Sequence, residues 1–169
     1  MGTGFFMEIK HFIKFIQSPI GWLKIETNQS ALIAVSFVDG DGGSTSLMPD
    51  IITKASEQLL EYFEGKRKVF NLKLSPQGTE FQKKVWNHVS KINYGETTSY
   101  LDIAKHSGSE KNTRAVGLAN GKNPIPIFIP CHRIIGTDGK LTGYAGGLEK
   151  KRWLLQHELE NSEKPGMLF

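Results

Sequence analysis

Cys131 is the single cysteine among 169 residues, and a histidine and an arginine follow it directly in Ile129-Pro130-Cys131-His132-Arg133-Ile134. A free thiol with a pKa of about 8.5 is only a few per cent thiolate at neutral pH, so a nucleophilic cysteine needs a base or a positive field beside it. His132 is the adjacent base. On an extended segment neighbouring side chains point to opposite faces, so either a local turn or a bound water must connect the two. Glu158 is the candidate third group, holding the imidazole in one tautomer as triad chemistry requires. A free cysteine also serves as a small buried hydrophobe. The proline before Cys131 and the basic pair after it favour the reactive thiol.

Several elements must position these groups. The approach, Pro124-Ile125-Pro126-Ile127-Phe128-Ile129, carries two prolines that fix φ and deny a helix, which predicts a stiff, extended delivery of Cys131. Upstream, Thr79 caps a helix expected to run to about Ile92, with Phe81, Val85, Val89 and Ile92 at helical spacing. Thr98-Ser99 cap a short helix carrying Tyr100, Leu101, Ile103 and Ala104. A turn at Ser107-Gly108-Ser109 leads into a further helix from about Lys111 to Asn120. Two short helices around a glycine turn resemble a helix-turn-helix. Ala115, Gly117 and Ala119 would let the second helix approach another surface closely, and Arg114 projects a cation from its start. A DNA-groove reader and plain helix–helix packing explain this segment equally well. Downstream, Leu141 to Gly147 is a glycine-rich loop around Tyr144, which suits a pocket wall for a planar ligand but is also what a plain loop looks like. The last helix spans about Leu148 to Glu160, with Leu148, Leu155 and Leu159 facing inward and Glu158 sharing a face with Leu154, and Asn161 to Phe169 reads as a loose tail.

The first half reads as scaffold. Alternating apolar and polar residues over 10–38 predict three antiparallel strands joined by tight turns. Asp39 to Ser44 is a loop. Pro49-Asp50 opens a helix to about Glu64, with Ile51, Ile52, Ala55, Leu59, Tyr62 and Phe63 as its buried stripe and Gly65 as its stop. Val69 to Leu74 reads as one more strand, and Ser75-Pro76-Gln77-Gly78 as a boundary between domains at 1–76 and 77–169. No cluster of chemistry-bearing side chains stands out before that boundary.

Composition narrows the class. Hydrophobic residues make up 38% and charged residues 22%, as in soluble globular chains. One cysteine excludes an intramolecular disulfide framework. The five histidines are scattered without zinc-ligand spacing, so no metal is expected. No apolar run reaches the ~18–20 residues of a membrane span. The start, Met1 to Phe6, lacks the features of a signal peptide, with Met7 a second candidate start. A cytoplasmic, reducing environment follows. A net charge of +4 and a pI near 9.1 lean toward a polyanionic partner.

The segment from Ile129 to Gly136 resembles the active-site signature of the methylated-DNA–protein-cysteine methyltransferases, which repair O6-alkylguanine. The likeness runs from Gly78-Thr79-Glu80-Phe81-Gln82 through Val85-Trp86, Ser99-Tyr100, Arg114-Ala115-Val116-Gly117, Asn120-Gly121, Asn123-Pro124, Tyr144 and Gly146-Gly147 to His157-Glu158. It covers essentially the whole second half. The first half fits by general pattern.

The resemblance implies an α/β, ribonuclease-H-like N-terminal domain followed by a mainly α C-terminal domain with a helix-turn-helix. It implies a monomer that binds duplex DNA from the minor groove and flips the damaged base out, without cofactor. Arg114 would fill the vacated stack, with Ala115, Gly117 and Ala119 against the groove. Tyr100 would help rotate the nucleotide and donate a proton to the departing guanine. Cys131, activated through a water by His132 and Glu158, would take the alkyl group irreversibly, one base per protein molecule. Asn123 would brace the turn before the site. Tyr144, Ile134, Ala145 and Gly146 would line the base pocket, and Lys151 would stabilise the leaving base. O4-alkylthymine is a second candidate substrate.

Ala145 departs from members with a serine there, which leaves only a backbone N–H as donor. Catalytically dead relatives carry tryptophan in place of Cys131 and are excluded. Two other classes of function are open to the same residues: a DNA-binding alkylation sensor, and a cysteine hydrolase built on Cys131, His132 and Glu158.

Overall fold

The computed structural model describes residues 11–163. The sequence readings of the N-terminal start and of the last six residues lie outside them.

Three strands form an antiparallel sheet in the order β1 (Phe12–Ser18), β2 (Gly21–Thr27), β3 (Leu32–Val38). The first hairpin closes with Ser18 opposite Gly21, whose φ of 105° only glycine adopts freely. The second turns on Asn28, whose side-chain oxygen accepts from the backbone N–H groups of Ser30 and Ala31, each at 2.8 Å. One face of the sheet is apolar. Ile16, Leu23, Ile25 and Val35 lie buried with Ile52, Ala55 and Leu59 of helix α1 (Asp50–Phe63). Of the expected stripe on α1, Ile51 alone is only half-buried, while Ser56 and Gln58 are buried instead.

The second half is helical. Helix α2 (Glu80–Val89) starts at a capping box in which Thr79 and Gln82 bond each other's backbone N–H, at 3.1 and 2.9 Å. It ends at Val89, one turn before Ile92. Strand β4 (Thr98–Ser99) leads directly into α3 (Tyr100–His106), capped by Ser99. A 3₁₀ turn at 110–112 precedes α4 (Thr113–Gly121). Trp86 of α2 is buried against α4, and its indole N–H donates to the Ala119 carbonyl at 2.9 Å. Strand β5 (Ile134–Ile135) pairs in parallel with β4, and α5 (Leu148–Glu160) closes the chain.

Four sequence expectations need correction. Val69 to Leu74 is not a strand: only Leu74 bridges β3, at Leu32. Two competing contacts explain this. The Val35 N–H is already bonded to the Pro124 carbonyl at 2.9 Å, so the β3 edge cannot carry a ladder. The Gln58 side chain also clamps the Asn71 backbone from both sides, at 2.9 and 3.1 Å. Second, Ser99 alone caps α3, and Thr98-Ser99 also form a strand, too short to show alternation. Third, Leu148 is 44% exposed and Leu159 half-buried; the inward face of α5 is Lys151, Leu154, Leu155 and Glu158. That face buries two charges because it borders a site rather than a core. Fourth, the tail is not loose from Asn161. Asn161 and Ser162 bond back to the carbonyls of His157 and Leu159, at 2.8 and 2.7 Å.

Candidate active site

Cys131 does not sit on an extended segment. Pro130, at φ −79° and ψ 62°, makes an inverse γ-turn in which the Cys131 N–H reaches the Ile129 carbonyl at 2.7 Å. Cys131–Arg133 is then a single 3₁₀ turn. The prolines fix φ but leave ψ free, and the surroundings choose a bend. Asn123 makes that choice. Its side chain accepts from the Ile125 N–H at 2.9 Å and donates to the Ile129 carbonyl at 2.8 Å. Buried Ile127 is held at φ 74°, which costs a β-branched residue on the order of 1–3 kcal/mol. Asn120 of α4 donates to the Cys131 carbonyl at 3.3 Å.

The turn aims His132 and Arg133 at Glu158, and all three are buried. Glu158 Oε2 accepts from His132 Nε2 at 2.6 Å, from the Tyr62 hydroxyl at 2.6 Å and from Arg133 Nη2 at 3.0 Å. Oε1 accepts from Arg133 Nε at 2.8 Å and from the Gly95 N–H at 3.2 Å. Burial alone would push the Glu158 carboxyl up. Against it stand the pull of His132 when protonated and its hydrogen bond, then the two-point grip of Arg133, which together hold the group well below the usual carboxylate range. For His132 the balance is reversed: burial favours its neutral form, outweighs the pull of Glu158 and lowers its pKa. Arg133 already balances the carboxylate, so the imidazole rests neutral. A carboxylate only accepts, so the proton is on Nε2 and Nδ1 carries the lone pair. Nδ1 has no hydrogen-bond partner among the described residues. Burial pushes the Cys131 thiol up to about 11, with Asn123 and Lys151 offsetting part of the rise. The resting group is therefore a thiol that needs a base.

A second wall faces the sulfur. Lys151 projects from α5 and donates to the Thr142 carbonyl at 2.7 Å. Burial lowers its pKa to about 8, against the opposing charge of Cys131. Tyr100, the first residue of α3, bonds the same Thr142 carbonyl at 3.2 Å, and the Lys151 ammonium lies 5.9 Å from its ring centre. The Tyr144 hydroxyl is buried without a partner among the described residues. The Tyr144 ring meets Phe37 of β3 edge-on, with centroids 5.6 Å apart. Gly146 lies so close to Phe37 that a Cβ there would sit 2.9 Å from the ring. Ile134 is fully buried in β5. Ala145 is exposed and borders an open cleft of about 360 Å³ with Phe37, Asn123 and Pro124.

On α4, Arg114 and Ala115 are exposed, as a groove-facing surface requires. Ala119 is not: it is 3% exposed and packed inward, because its carbonyl side holds Trp86. It cannot face a ligand. Gly117 is half-buried and looks toward Tyr100, whose ring a Cβ there would approach to 3.9 Å. Leu118, 67% exposed beside Arg114 and Ala115, was missed. So were Tyr62, Phe37 and Asn120. Arg133 was noticed in sequence only as a neighbour of the thiol. Among the described residues no cluster of three or more His, Cys, Asp or Glu could hold a metal ion.

Comparison with known proteins agrees with this geometry. Residues 12–76 match the ribonuclease-like domain of 6-O-methylguanine DNA methyltransferase, and residues 80–160 match its DNA binding domain. The chain belongs to the 6-O-methylguanine DNA methyltransferase family. A methylated-DNA–protein-cysteine methyltransferase of Methanosarcina acetivorans is 47% identical over 154 residues, covering 87% of this chain and 97% of that one. The solved O6-methylguanine methyltransferase of Mycobacterium tuberculosis superposes with a TM-score of 0.80 at 40% identity, covering 90% of this chain and 95% of that one. The same organism's OGT in complex with DNA gives 0.78 at 44%, covering 91% and 95%. In this methyltransferase fold the antiparallel-sheet unit precedes the helical unit and reaches the site through Tyr62 on Glu158 and Phe37 on Tyr144.

Proposed function

We propose that this chain is a single-turnover methyltransferase of direct-reversal DNA repair, moving the alkyl group of O6-alkylguanine in duplex DNA onto Cys131. One observation carries the assignment of residues. His132 Nε2 is committed to a Glu158 already neutralised by Arg133, which leaves Nδ1 as a neutral base in the same turn as a buried, protonated thiol.

The steps follow from that arrangement. The base enters between Cys131 and the Tyr100–Tyr144 wall, flipped out of the duplex at a cost of a few kcal/mol. The thiol proton passes through a bridging water to His132 Nδ1. The sulfur attacks the alkyl carbon, and the carbon–O6 bond breaks with its electron pair leaving on guanine. Tyr100 gives the guanine a proton, and the imidazolium proton restores the tyrosine through solvent. Lys151 supplies positive charge toward the leaving base. The product is a thioether without an accessible leaving group, so the protein is spent. Asn123 holds the loop that presents Cys131, and Ile134, Tyr144, Ala145 and Gly146 line the pocket.

Helices α3 and α4 serve as a helix-turn-helix. Arg114, with Ala115 and Gly117, meets the minor groove, and Arg114 takes the place of the flipped base. The N-terminal unit, divided from the helical unit at 76/77, is a reduced ribonuclease-H-like domain. The protein works as a cytoplasmic monomer, where the thiol stays reduced. A sensor without transfer is not favoured, since the thiol, base and carboxylate are assembled for chemistry.

The test is Cys131→Ala against DNA labelled in the O6-methyl group. The variant should bind the duplex as tightly as wild type and acquire no label. Labelled protein from that variant would overturn the assignment.

A further inference from the structure

Glu158 draws one of its closest contacts from the half of the chain that reads as scaffold. The Tyr62 hydroxyl, near the end of α1, lies 2.6 Å from Oε2, the same oxygen that His132 Nε2 reaches at 2.6 Å. Tyr62 is fully buried, and its ring is fixed on several sides. It packs edge-on against Phe63, Tyr94 and His157, with Phe70 tilted alongside, at centroid distances of 5.4 to 6.0 Å. Its backbone is held too: the carbonyl accepts from His157 Nε2 at 2.7 Å. Three residues after Tyr62, Gly65 lies against the Asn161 side chain, which would have to move to admit a Cβ. α1 is thus clamped onto α5 at the level of Glu158.

We propose that Tyr62 is a positioning residue for alkyl transfer, setting the place and basicity of Glu158 Oε2 and through it the orientation of His132. The inference rests on the assignment of Cys131, His132 and Glu158 above. The physical case is specific. An ionised carboxylate that gives up one lone pair to a phenol has less electron density for the imidazolium that forms when His132 takes the thiol proton. A phenol donating to a carboxylate keeps its own proton, and burial with the Glu158 charge raises the Tyr62 pKa well above 10. It therefore acts as a fixed donor and not as a proton carrier. The charged and titratable groups that face it are Glu158 and His157 of α5, Arg133 and His132 of the Cys131 turn, and Tyr94. Because α1 belongs to the sheet unit, that unit contributes to the chemistry and does more than support the helices.

The test is Tyr62→Phe, which keeps the ring packing and removes only the hydroxyl. Single-turnover transfer per active molecule should fall about tenfold, as expected for one hydrogen bond to a charged group, because the lost fixing of Glu158 Oε2 and His132 outweighs the gain in His132 basicity. With the carboxylate more basic, protonated His132 becomes easier to form, so the acid limb of the rate profile should move to higher pH. Affinity for undamaged duplex should not change. In a Glu158→Gln background the same substitution should have little further effect. A purely structural tyrosine would lower the fraction of active protein and leave both the rate constant and the acid limb where they are; that result overturns the proposal. So does a full effect that persists in the Glu158→Gln background. Failure of the underlying assignment is separate: it would appear as wild-type protein that transfers no alkyl group to Cys131.

Discussion

Arg133 grips Glu158 with two nitrogens, Nε 2.8 Å from Oε1 and Nη2 3.0 Å from Oε2, in a site where Glu158 is 1% exposed. The pair is bidentate and desolvated, and its worth lies less in attraction than in what is left when one partner is removed. Arg133→Ala strands a buried carboxylate, which costs about 3–5 kcal/mol. Urea unfolding should show that loss. Arg133→Lys, with charge but without the fork, should fall between the two. Wild-type stability in the alanine variant would mean that the carboxylate is not held by this pair.

Acid should act on the site twice, in the same direction. Burial lowers the His132 pKa, so between its folded value and about 6.5 the unfolded chain binds a proton that the folded chain does not. Stability then falls as pH drops below about 6.5. The Glu158 carboxylate, held well below the usual range, contributes stability that is present above about pH 4.3 and is lost as pH falls further. The transfer rate needs neutral His132, so its acid limb should lie below pH 6.5. Rate constants across about pH 5 to 8 and urea midpoints across about pH 3 to 8 check both. A limb above 6.5 would contradict a neutral resting imidazole.

Arg114 is exposed at the start of α4, while Cys131 is buried beneath the Tyr100 wall. Flipping and chemistry should therefore separate. Arg114→Ala should slow transfer from duplex DNA by about tenfold or more, the loss expected when the flipped state loses a few kcal/mol of support. Reaction with a free O6-alkylguanine base should be unchanged. Equal losses with both substrates would place Arg114 in the chemistry or the fold.

The inner and outer faces of α4 make a paired prediction. Ala119 is buried against Trp86, so Ala119→Leu overpacks the α2–α4 contact and should cost about 1–3 kcal/mol by thermal or urea unfolding. Ala115 is exposed, so Ala115→Leu should leave stability within about 0.5 kcal/mol while weakening duplex binding. The reverse pattern would place Ala119, not Ala115, at the groove.

Much of this molecule was legible in its sequence. Alternation between residues 10 and 38 located all three strands, and the 3.6-residue period bounded α1 and α5. Cys131, His132 and Glu158 were picked out by chemistry; His132 meets Glu158 at 2.6 Å, and Cys131 shares a turn with His132. What escaped was set by tertiary contacts. Two prolines fix φ but not ψ, so the extended approach to Cys131 and the observed turn are equally allowed until Asn123 chooses. Val69 to Leu74 has strand composition, but Pro124 and Gln58 take its partners. Tyr62 lies 96 residues from Glu158 and occupies a helix position that reads as core, so nothing local marks its hydroxyl. Ala119 shows how a small residue on a helix can mean close packing inside as readily as close approach outside.

The proposed reaction consumes Cys131. Wild-type protein incubated with a duplex containing O6-methylguanine, then digested and examined by mass spectrometry, should carry one methyl group on the peptide containing Cys131. Repaired guanine and modified protein should appear in equal amounts, with no further repair on adding fresh substrate. Unmodified Cys131 beside repaired DNA, or several bases repaired per protein molecule, would contradict it.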